Sequence, residues 1–553
     1  MKENKILADL IFPDITLTID DYEKMYPSRD LDKKAIVTRY APSPTGFIHI
    51  GALLASFTES TFAAQTGGVF YLRIEDTDTK RTIDNGVNTI IKGLKEFGIN
   101  FDEGPINEEE AVGNYGPYIQ SQRADIYKTF IKYLIEQGKA YPCFCSSEEL
   151  EELREYQTKK KMRIGYYDKN AKCRFIAPEE AIEKVKNGDK YVIRIKSPGN
   201  FENKIKFQDV IRGQIEMPEN DTDVVIMKSD GLPTYHFAHL VDDHLMRTTH
   251  VIRGDEWLPS LPIHVQLFEM FGFEVPKYCH ISPLMKNDNG SVRKLSKRKD
   301  PECAMSFYHE LGVPYEAVML YLATVTNSNF EEWYNQNKTK TYSDFKFEFS
   351  KMNTSGALFD LDKLNNISKI YISNLKATDL YERCLEYFKE YDQDFLNVFS
   401  KDKDYSINLL NIEREIAKPR KDLSNYSDVK KEFWYMYDEL FYEDKSEYDF
   451  KNISDLNEIK QILELYMSKY YNPSDDNSTW FSKMKELCDE LGYASDMKEY
   501  KANPEQFKGS VADISMVIRV AVTKKSMTPD LHDIMGLLGV DKINKRIEKI
   551  FNK

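Results

Sequence analysis

Residues 35–65 read AIVTRYAPSPTGFIHIGALLASFTESTFAAQ. The first six form a short β-rich run, PSPTG is a proline- and glycine-bearing loop, and GALLASFTESTFAAQ is a helix stopped by Gly67 and Gly68. A second strand, VFYLRIED, follows at once, and the next helix places Ile83, Val87, Ile90, Ile91, Leu94 and Phe97 on one face before Gly98 ends it. Two parallel strands bridged by a helix begin a doubly wound α/β sheet.

The loop is where an open α/β sheet binds ligands. Arg39 ends the strand, and His49 with Gly51 opens the helix, whose unpaired N–H groups and positive dipole end suit a phosphate. A lone His-x-Gly is more often a structural turn carrying a surface His, since so short a motif recurs freely by chance. Outward from this segment, residues 119–239 change texture: the helix SQRADIYKTFIKYLIEQG, a Glu/Lys-rich stretch, then short strands such as YVIRIK and DVVIMK read as an α+β insertion. The nucleotide-fold texture resumes with TYHFAHLVDDHLM as helix, THVIRG as strand, LPSLPIHVQLFEMFG as helix and YCHISPL as strand. A basic loop, RKLSKRKD, follows NDNG. From about residue 330 the periodicity is helical, as in TDLYERCLEYFKEY, SDLNEIKQILELYMSKYY, FSKMKELCDELG and KINKRIEKIFNK, with EREIAKPRKDLSNYSD as an exposed connection.

Composition bounds the reading. At 553 residues the chain holds about three to five domains. Its 90 acidic against 76 basic residues, net −14, exclude a chain-wide basic surface, so any nucleic-acid site is a local patch. With 41% apolar and 30% charged residues, the chain is of ordinary globular type, and no apolar run reaches the length of about 18 residues that spans a bilayer. The N-terminus, MKENKILADLIFPDITLTIDDYEK, is neither a secretory signal nor an acid-poor transit peptide. Seven Cys are an odd and sparse set for a disulfide framework, and the expected compartment is the reducing cytoplasm.

Three further features carry chemistry. KLSKRK, Lys294 to Lys299, can clamp a polyphosphate and neutralise charge as a phosphoryl bond breaks, or is a solvated basic loop. Glu75 ends the second strand, near which Tyr235 and Arg253 fall if both halves complete one sheet. One carboxylate with Arg39 and Arg253 suits an amino acid carrying a second carboxylate, unless these charges satisfy one another or Asp76, Thr77 and Asp78 cap a helix. Cys143, Cys145 and Cys173 offer three thiols without a fourth ligand, since Phe175 stands where one would complete the set, so reduced thiols are expected and no metal.

Taken together, PSPTGFIHIGA, RIEDTD, TYHFAHLVDDHLM, HVIRGDEW and KLSKR resemble, in order, the signatures of the bacterial-type glutamyl-tRNA synthetases, a class I aminoacyl-tRNA synthetase family. The first is similar to the family's HIGH motif and the last to its KMSKS loop, and the match runs from Ala35 to the end of the chain. The resemblance implies an α/β fold: a Rossmann-type (HUP-like) parallel-sheet catalytic domain at 35–118 and 240–267, an acceptor-stem-binding α+β insertion at 119–239, a stem-contact domain at 268–375 carrying KLSKR, and a mainly α-helical anticodon-binding region at 376–553. Residues 1–34 lie outside it as an N-terminal extension.

It further implies that ATP, with magnesium, and L-glutamate give glutamyl-adenylate and pyrophosphate, after which the glutamyl group passes to the 2′-hydroxyl of the terminal adenosine of tRNA-Glu. Activation without tRNA is expected to be weak. Whether tRNA-Gln is also charged stays open. By motif position His49 and Lys297 are catalytic; His49, Gly51, Glu256, Met285, Lys294, Ser296 and Lys297 bind ATP; Arg39, Ala41, Ser43, Glu75, Tyr235, His239 and Arg253 bind glutamate. Ala52 takes the last HIGH position, and His239 stands where some relatives have Asn. A cytoplasmic monomer is expected, with tRNA phosphates met by QTKKKMR, RKLSKRK and EREIAKPRKD.

The alternatives are a glutaminyl-tRNA synthetase, whose C-terminal part is β-barrel and whose signature strand has Asp at the place of Glu75; a glutamyl-queuosine-type enzyme, which lacks the anticodon region; and a tRNA-binding paralogue altered in catalysis, marked by loss of His49, Lys297 or Glu75. All three residues are present.

Overall fold

The computed structural model describes residues 2–44, 46, 48–78 and 83–552, so Thr45 and Phe47 of the PSPTGF loop lie outside the described residues. The chain divides into two compact units, Met1–Phe307 with Met319–Asp360, and Tyr308–Val318 with Leu361–Lys553.

The first unit starts with α1 (Lys2–Ile11) and α2 (Ile19–Met25), the latter opened by a capping box between Thr18 and Asp21. Leu7, Ala8, Phe12, Tyr22 and Tyr26 enter the same core as Val37, Tyr71 and Tyr127. The N-terminal segment is thus packed into the unit. Strand β1 (Val37–Tyr40), helix α3 (Ile50–Gln65) and strand β2 (Val69–Leu72) form the expected parallel unit, with Val37 opposite Val69. Gly68 makes the close return possible: a Cβ there would lie 1.9 Å from the Ile36 carbonyl oxygen.

Two details depart from the sequence expectation. Strand β2 ends at Leu72, not Asp76, because the backbone changes partner: Arg73 N–H still donates to Tyr40 O, but Ile74 N–H donates to Tyr118 O. Helix α4 runs Gly86–Glu96, and Ile83 lies outside it and is exposed. The cause is Asn85, whose φ of 59° cannot sit within a right-handed helix.

A two-residue ladder, β3 (Gly104–Pro105) with β4 (Ala111–Val112), precedes α5 (Ala124–Glu136). The insertion then supplies β5 (Ala140–Cys143), α6 (Ser147–Lys159), α7 (Pro178–Lys186), β6 (Val192–Ile195), the hairpin β7 (Lys204–Asp209) and β8 (Gly213–Pro218), and β9 (Val225–Met227). Strands β5, β6 and β9 make an antiparallel sheet in that order.

Helix α8 (Tyr235–Leu245) leads to β10 (His250–Gly254), a 3₁₀ turn, α9 (Leu261–Phe271) and β11 (Lys277–Ile281), which pairs parallel to β10. Thr249 N–H donates to Val37 O, so β10 starts beside β1. The ladders nevertheless remain β1–β2 and β10–β11. The two parallel pairs are joined at their amino ends.

The segment expected as a basic loop is partly a hairpin: β12 (Leu284–Asp288) pairs with β13 (Ser291–Lys294), and β14 (Ala357–Leu358) adds to β12. Asn289 and Gly290 both take positive φ, which is the backbone that an Asn-Gly hairpin turn requires. Lys294 therefore leaves a strand end, and only the residues after it loop.

In the second unit helices Ala377–Tyr391, Leu456–Leu465 and Asn477–Leu491 overlap the first three periodic segments, and the fourth lies after the kink that Gly539, with φ of 75°, puts into Leu531–Phe551. Their apolar faces share one core that includes Phe388, Phe433, Tyr466, Leu487 and Ile518. Residues 413–428 connect helices, yet Arg414 is buried, donating from Nε to Leu410 O and from Nη1 to Ile372 O. That arginine holds the fold and is not a solvated contact for phosphate.

Candidate active site

A cavity of about 1090 Å³ opens at the carboxyl ends of β1 and β10 and the amino end of α3. Its wall includes Arg39, Ala41, Ser43, His49, Gly51, Glu75, Tyr235, Arg253, Glu256 and Lys294. Residues separated by more than two hundred positions meet because the second parallel pair folds back beside the first.

His49 is the N-cap of α3: its Nδ1 accepts the Ala52 N–H at 3.1 Å. A neutral imidazole accepting at Nδ1 carries its proton on Nε2, as a donor. Burial, then the charges of Lys297 and Lys294, push the His49 pKa down to about 4, so the neutral donor form prevails at neutral pH. Gly51 leaves room for the ring, since a Cβ there would come within 3.2 Å of His49 Cε1 and Nδ1.

The KLSKR segment is anchored from behind. Asp300 accepts the Ser296 N–H at 2.8 Å and both Arg293 Nη atoms at 2.7 and 2.9 Å, and Lys286 Nζ lies 3.1 Å away. Lys294 pairs with Glu256 at 3.3 Å. Ser296, Lys297 and Met285 are not on the cavity wall, although Lys297 is near enough to His49 to lower its proton affinity. Met285 sits on β12 opposite Lys294.

The opposite end is built from buried charge. Asp243 accepts from Arg39 Nε at 3.0 Å and Arg73 Nη1 at 2.8 Å, while Arg73 Nη2 reaches Glu75 Oε1 at 3.1 Å. Burial raises the Glu75 pKa against the pull of Arg73 and Arg39. Arg253 differs: its Nε donates to His280 Nε2 and its Nη1 meets His264 Nδ1, both at 3.0 Å, and no carboxylate pairs with it among the described residues. A buried guanidinium held only by neutral acceptors and facing a cavity is a ready site for an anion. Tyr235 packs on Trp257, ring centroids 4.4 Å apart.

His239 was expected at the substrate. Instead it is fully buried and off the cavity wall, with Nδ1 2.6 Å from Asp243 Oδ2 and Nε2 2.9 Å from Tyr278 OH. Its ring fixes Asp243, and through it Arg39.

Residues 35–366 match the family described as tRNA synthetases class I (E and Q), catalytic domain, and residues 379–551 match an anticodon binding domain. The glutamate–tRNA ligase of Clostridium perfringens is 50% identical over 544 residues, covering 98% of each chain. That of Clostridium beijerinckii is 48% identical over 547 residues, covering 99% of each. A glutamate tRNA ligase from Elizabethkingia meningosepticum, solved in complex with its amino acid, superposes with a TM-score of 0.76 at 25% identity, covering 94% of this chain and 99% of that one. The chain belongs to the class I glutamate–tRNA ligases.

For a glutamate–tRNA ligase, several wall and support residues were not legible from motifs. Arg73 and Trp257 lie within the RIEDTD and HVIRGDEW signatures without a role assigned to them, and His264, His280 and Asp209 lie outside every signature. Asp242 and Asp243 did leave one: two adjacent acids within the apolar LVDDHL helix imply buried cations opposite them, and Arg123 meets Asp242 at 2.7 Å. Glu59 also lines the cavity with Oε2 buried and unpaired.

The thiols of Cys143, Cys145 and Cys173 have sulfur atoms within 4.8 Å of one another. A phenol packs against them: Tyr166 OH lies 3.1 Å from Cys145 Sγ and 3.5 Å from Cys143 Sγ and accepts the Cys173 N–H at 3.0 Å, while Phe175 is 65% exposed. Three gathered thiols supply the sulfur donors that a zinc ion prefers.

Proposed function

We propose that this glutamate–tRNA ligase joins L-glutamate to the 3′-terminal adenosine of tRNA-Glu with ATP, through glutamyl-adenylate. The observation that carries the reading is Arg253, buried without an anionic partner, in one cavity with Arg39, Glu75 and the neutral His49 at a helix amino end. Arg253 and Arg39 take the two carboxylates of glutamate, and Glu75 takes its ammonium, with Tyr235, Ala41 and Ser43 forming the wall around them.

In the first step an α-carboxylate oxygen of glutamate bonds to the α-phosphorus of ATP and the bond to the β-phosphate oxygen breaks, releasing pyrophosphate. His49 Nε2–H donates to an α-phosphate oxygen as charge grows there. Lys294 and Lys297 neutralise the departing pyrophosphate. Gly51 admits the nucleotide close to α3 and Glu256 joins it on the wall of the ATP site, while Ser296 and Met285, off that wall, support the Lys294 strand end and the loop after it. Magnesium would be held through the ATP phosphates, where it screens their charge. In the second step the 2′-hydroxyl oxygen of the terminal adenosine bonds to the glutamyl carbonyl carbon and AMP leaves, its phosphate accepting the hydroxyl proton. Most of the catalysis is positional and electrostatic.

The 119–239 insertion is read as the acceptor-stem site, 268–375 as the stem-contact part, and 376–553 as the anticodon reader. Lys159, Lys160 and Lys161, all exposed at the end of α6, supply a basic patch on the insertion. In the same insertion Cys143, Cys145 and Cys173 would hold a zinc ion, which supplies no chemistry to the reaction but ties the end of β5 to the 166–173 segment.

Charging assays with labelled glutamate, ATP and purified tRNA-Glu or tRNA-Gln test the reading. Glutamate ester on tRNA-Glu is expected; charging with glutamine but not glutamate would overturn it, and the tRNA-Gln arm decides whether the enzyme also charges that tRNA.

A further inference from the structure

The hairpin β7–β8 belongs to the insertion, yet its turn is built into the catalytic sheet. Asp209, at the end of β7, is fully buried. One of its carboxylate oxygens accepts the N–H groups of Ile211 and Arg212 at 2.9 and 2.8 Å, and the other lies 2.7 Å from His280 Nδ1 on β11. On the far side of the same imidazole, Nε2 accepts the Nε–H of Arg253 at 3.0 Å. These contacts admit a single arrangement of protons. His280 must be neutral with its proton on Nδ1, donating to Asp209, because a proton on Nε2 would confront the Arg253 N–H. Burial holds His280 in that neutral form.

The turn is gripped at a second point. Arg212 Nε donates to His280 O at 3.1 Å, and its Nη2 reaches Asp255 Oδ2 and Ser282 Oγ, both at 2.8 Å. Neither Asp209 nor His280 lines the cavity. A buried carboxylate–imidazole pair is a poor way merely to stabilise a core, since apolar residues of the same volume do as well or better. What it does supply is direction: a neutral acceptor at fixed angle to a guanidinium that has no carboxylate of its own.

We infer that Asp209 and His280 are positioning residues for Arg253, a pair that fixes the orientation of the guanidinium while leaving its charge uncompensated for a carboxylate of the amino-acid substrate. The inference rests on the reading of Arg253 as a glutamate contact. Were a carboxylate to bond Arg253 directly in place of His280, it would compete with substrate. The interposed imidazole separates the two tasks: Asp209 orients the ring, and the ring orients the arginine.

The test uses the full-length enzyme, varying glutamate and ATP separately in tRNA charging, with active-site titration to normalise kcat. His280→Asn keeps an amide near the Nδ1 position and loses contact with Arg253; His280→Gln keeps an acceptor near the Nε2 position. Asp209→Asn and His280→Asn are expected to raise the glutamate KM about tenfold, as loss of one hydrogen bond to a charged group should. The ATP KM and kcat per active site should stay within about threefold, and His280→Gln should be milder than His280→Asn. Arg253→Lys is the reference. An unchanged glutamate KM in Asp209→Asn and His280→Asn, against a raised one in Arg253→Lys, overturns the positioning role alone. A parallel loss for glutamate and ATP overturns it as well, marking a merely structural pair. An unchanged glutamate KM in Arg253→Lys removes the site reading itself.

Discussion

Asp243 holds Arg39 from behind the cavity wall: its Oδ1 lies 3.0 Å from Arg39 Nε, with both side chains buried. The same oxygen takes Arg73 Nη1 at 2.8 Å, and His239 Nδ1 sits 2.6 Å from the other. One carboxylate thus sets a substrate-facing arginine and neutralises a second that never reaches the cavity.

Asp243→Asn leaves two buried guanidinium groups short of a counter-charge. Breaking a buried pair by removing one partner costs roughly 3–5 kcal/mol, so the variant should unfold several degrees lower than wild type in thermal scans. The folded fraction should show a raised glutamate KM. A variant with wild-type stability and glutamate KM would remove Asp243 from this role.

His49→Ala and Lys297→Ala should each lower charging by about two orders of magnitude, the scale of losing one preorganised donor to a developing charge. Because the His49 pKa is pushed down to about 4, the kcat profile should carry no acid limb near pH 6.5 from this group. Steady-state charging between pH 5.5 and 8 checks both points. Near-normal turnover in either variant sinks its role.

Glu75→Gln should raise the glutamate KM strongly or abolish activity with little effect on the ATP KM. Burial raises the Glu75 pKa, so its carboxylate is lost, and glutamate binding weakens, at a higher pH than for an ordinary carboxyl. The glutamate KM measured on acidification should rise in the wild type and stay flat in Glu75→Gln if the variant retains measurable activity.

Acid should destabilise the first unit through two imidazoles, His239 fully buried and His250 partly so. His239 is pushed down to about 3 and His250 to about 4, in each case chiefly by burial. Folded values below the unfolded value of about 6.5 mean that the unfolded chain binds more protons as pH falls through that window. Stability is therefore kept above about pH 6.5 and lost below it, at up to about 1.4 kcal/mol per pH unit for each such group. Denaturant titrations at pH 7.5 and 5.5 should show a lower midpoint at 5.5; an equal or higher one would contradict the burial of these rings.

Much of this was legible in the chain because the deciding signals are local. The alternation of short apolar runs with 3.6-residue periodicity marks strand, helix and strand around β1, and His49 falls at the N-cap because the loop prolines and Gly46 end before Ile50 begins the helix. Asn289-Gly290 is an equally local hairpin signal, and the structure uses it as the turn between β12 and β13. Ile83 was misplaced since periodicity alone does not reveal the left-handed turn at Asn85.

By itself the sequence determined the order of elements, the motif residues at strand ends and helix starts, and the family, since each rests on neighbours along the chain. Only the tertiary structure decided which charges are already answered and which are left for a ligand. Arg39 and Arg253 look alike in sequence, but Asp243 compensates the first, while Arg253 meets neutral groups among the described residues: the rings of His264 and His280, the Trp257 carbonyl and the face of Tyr278. Likewise Tyr166, and not residue 175, meets the gathered thiols. Such partners are separated by many residues and brought together by burial, where the cost of an unpaired polar group selects its contacts in space and not by spacing.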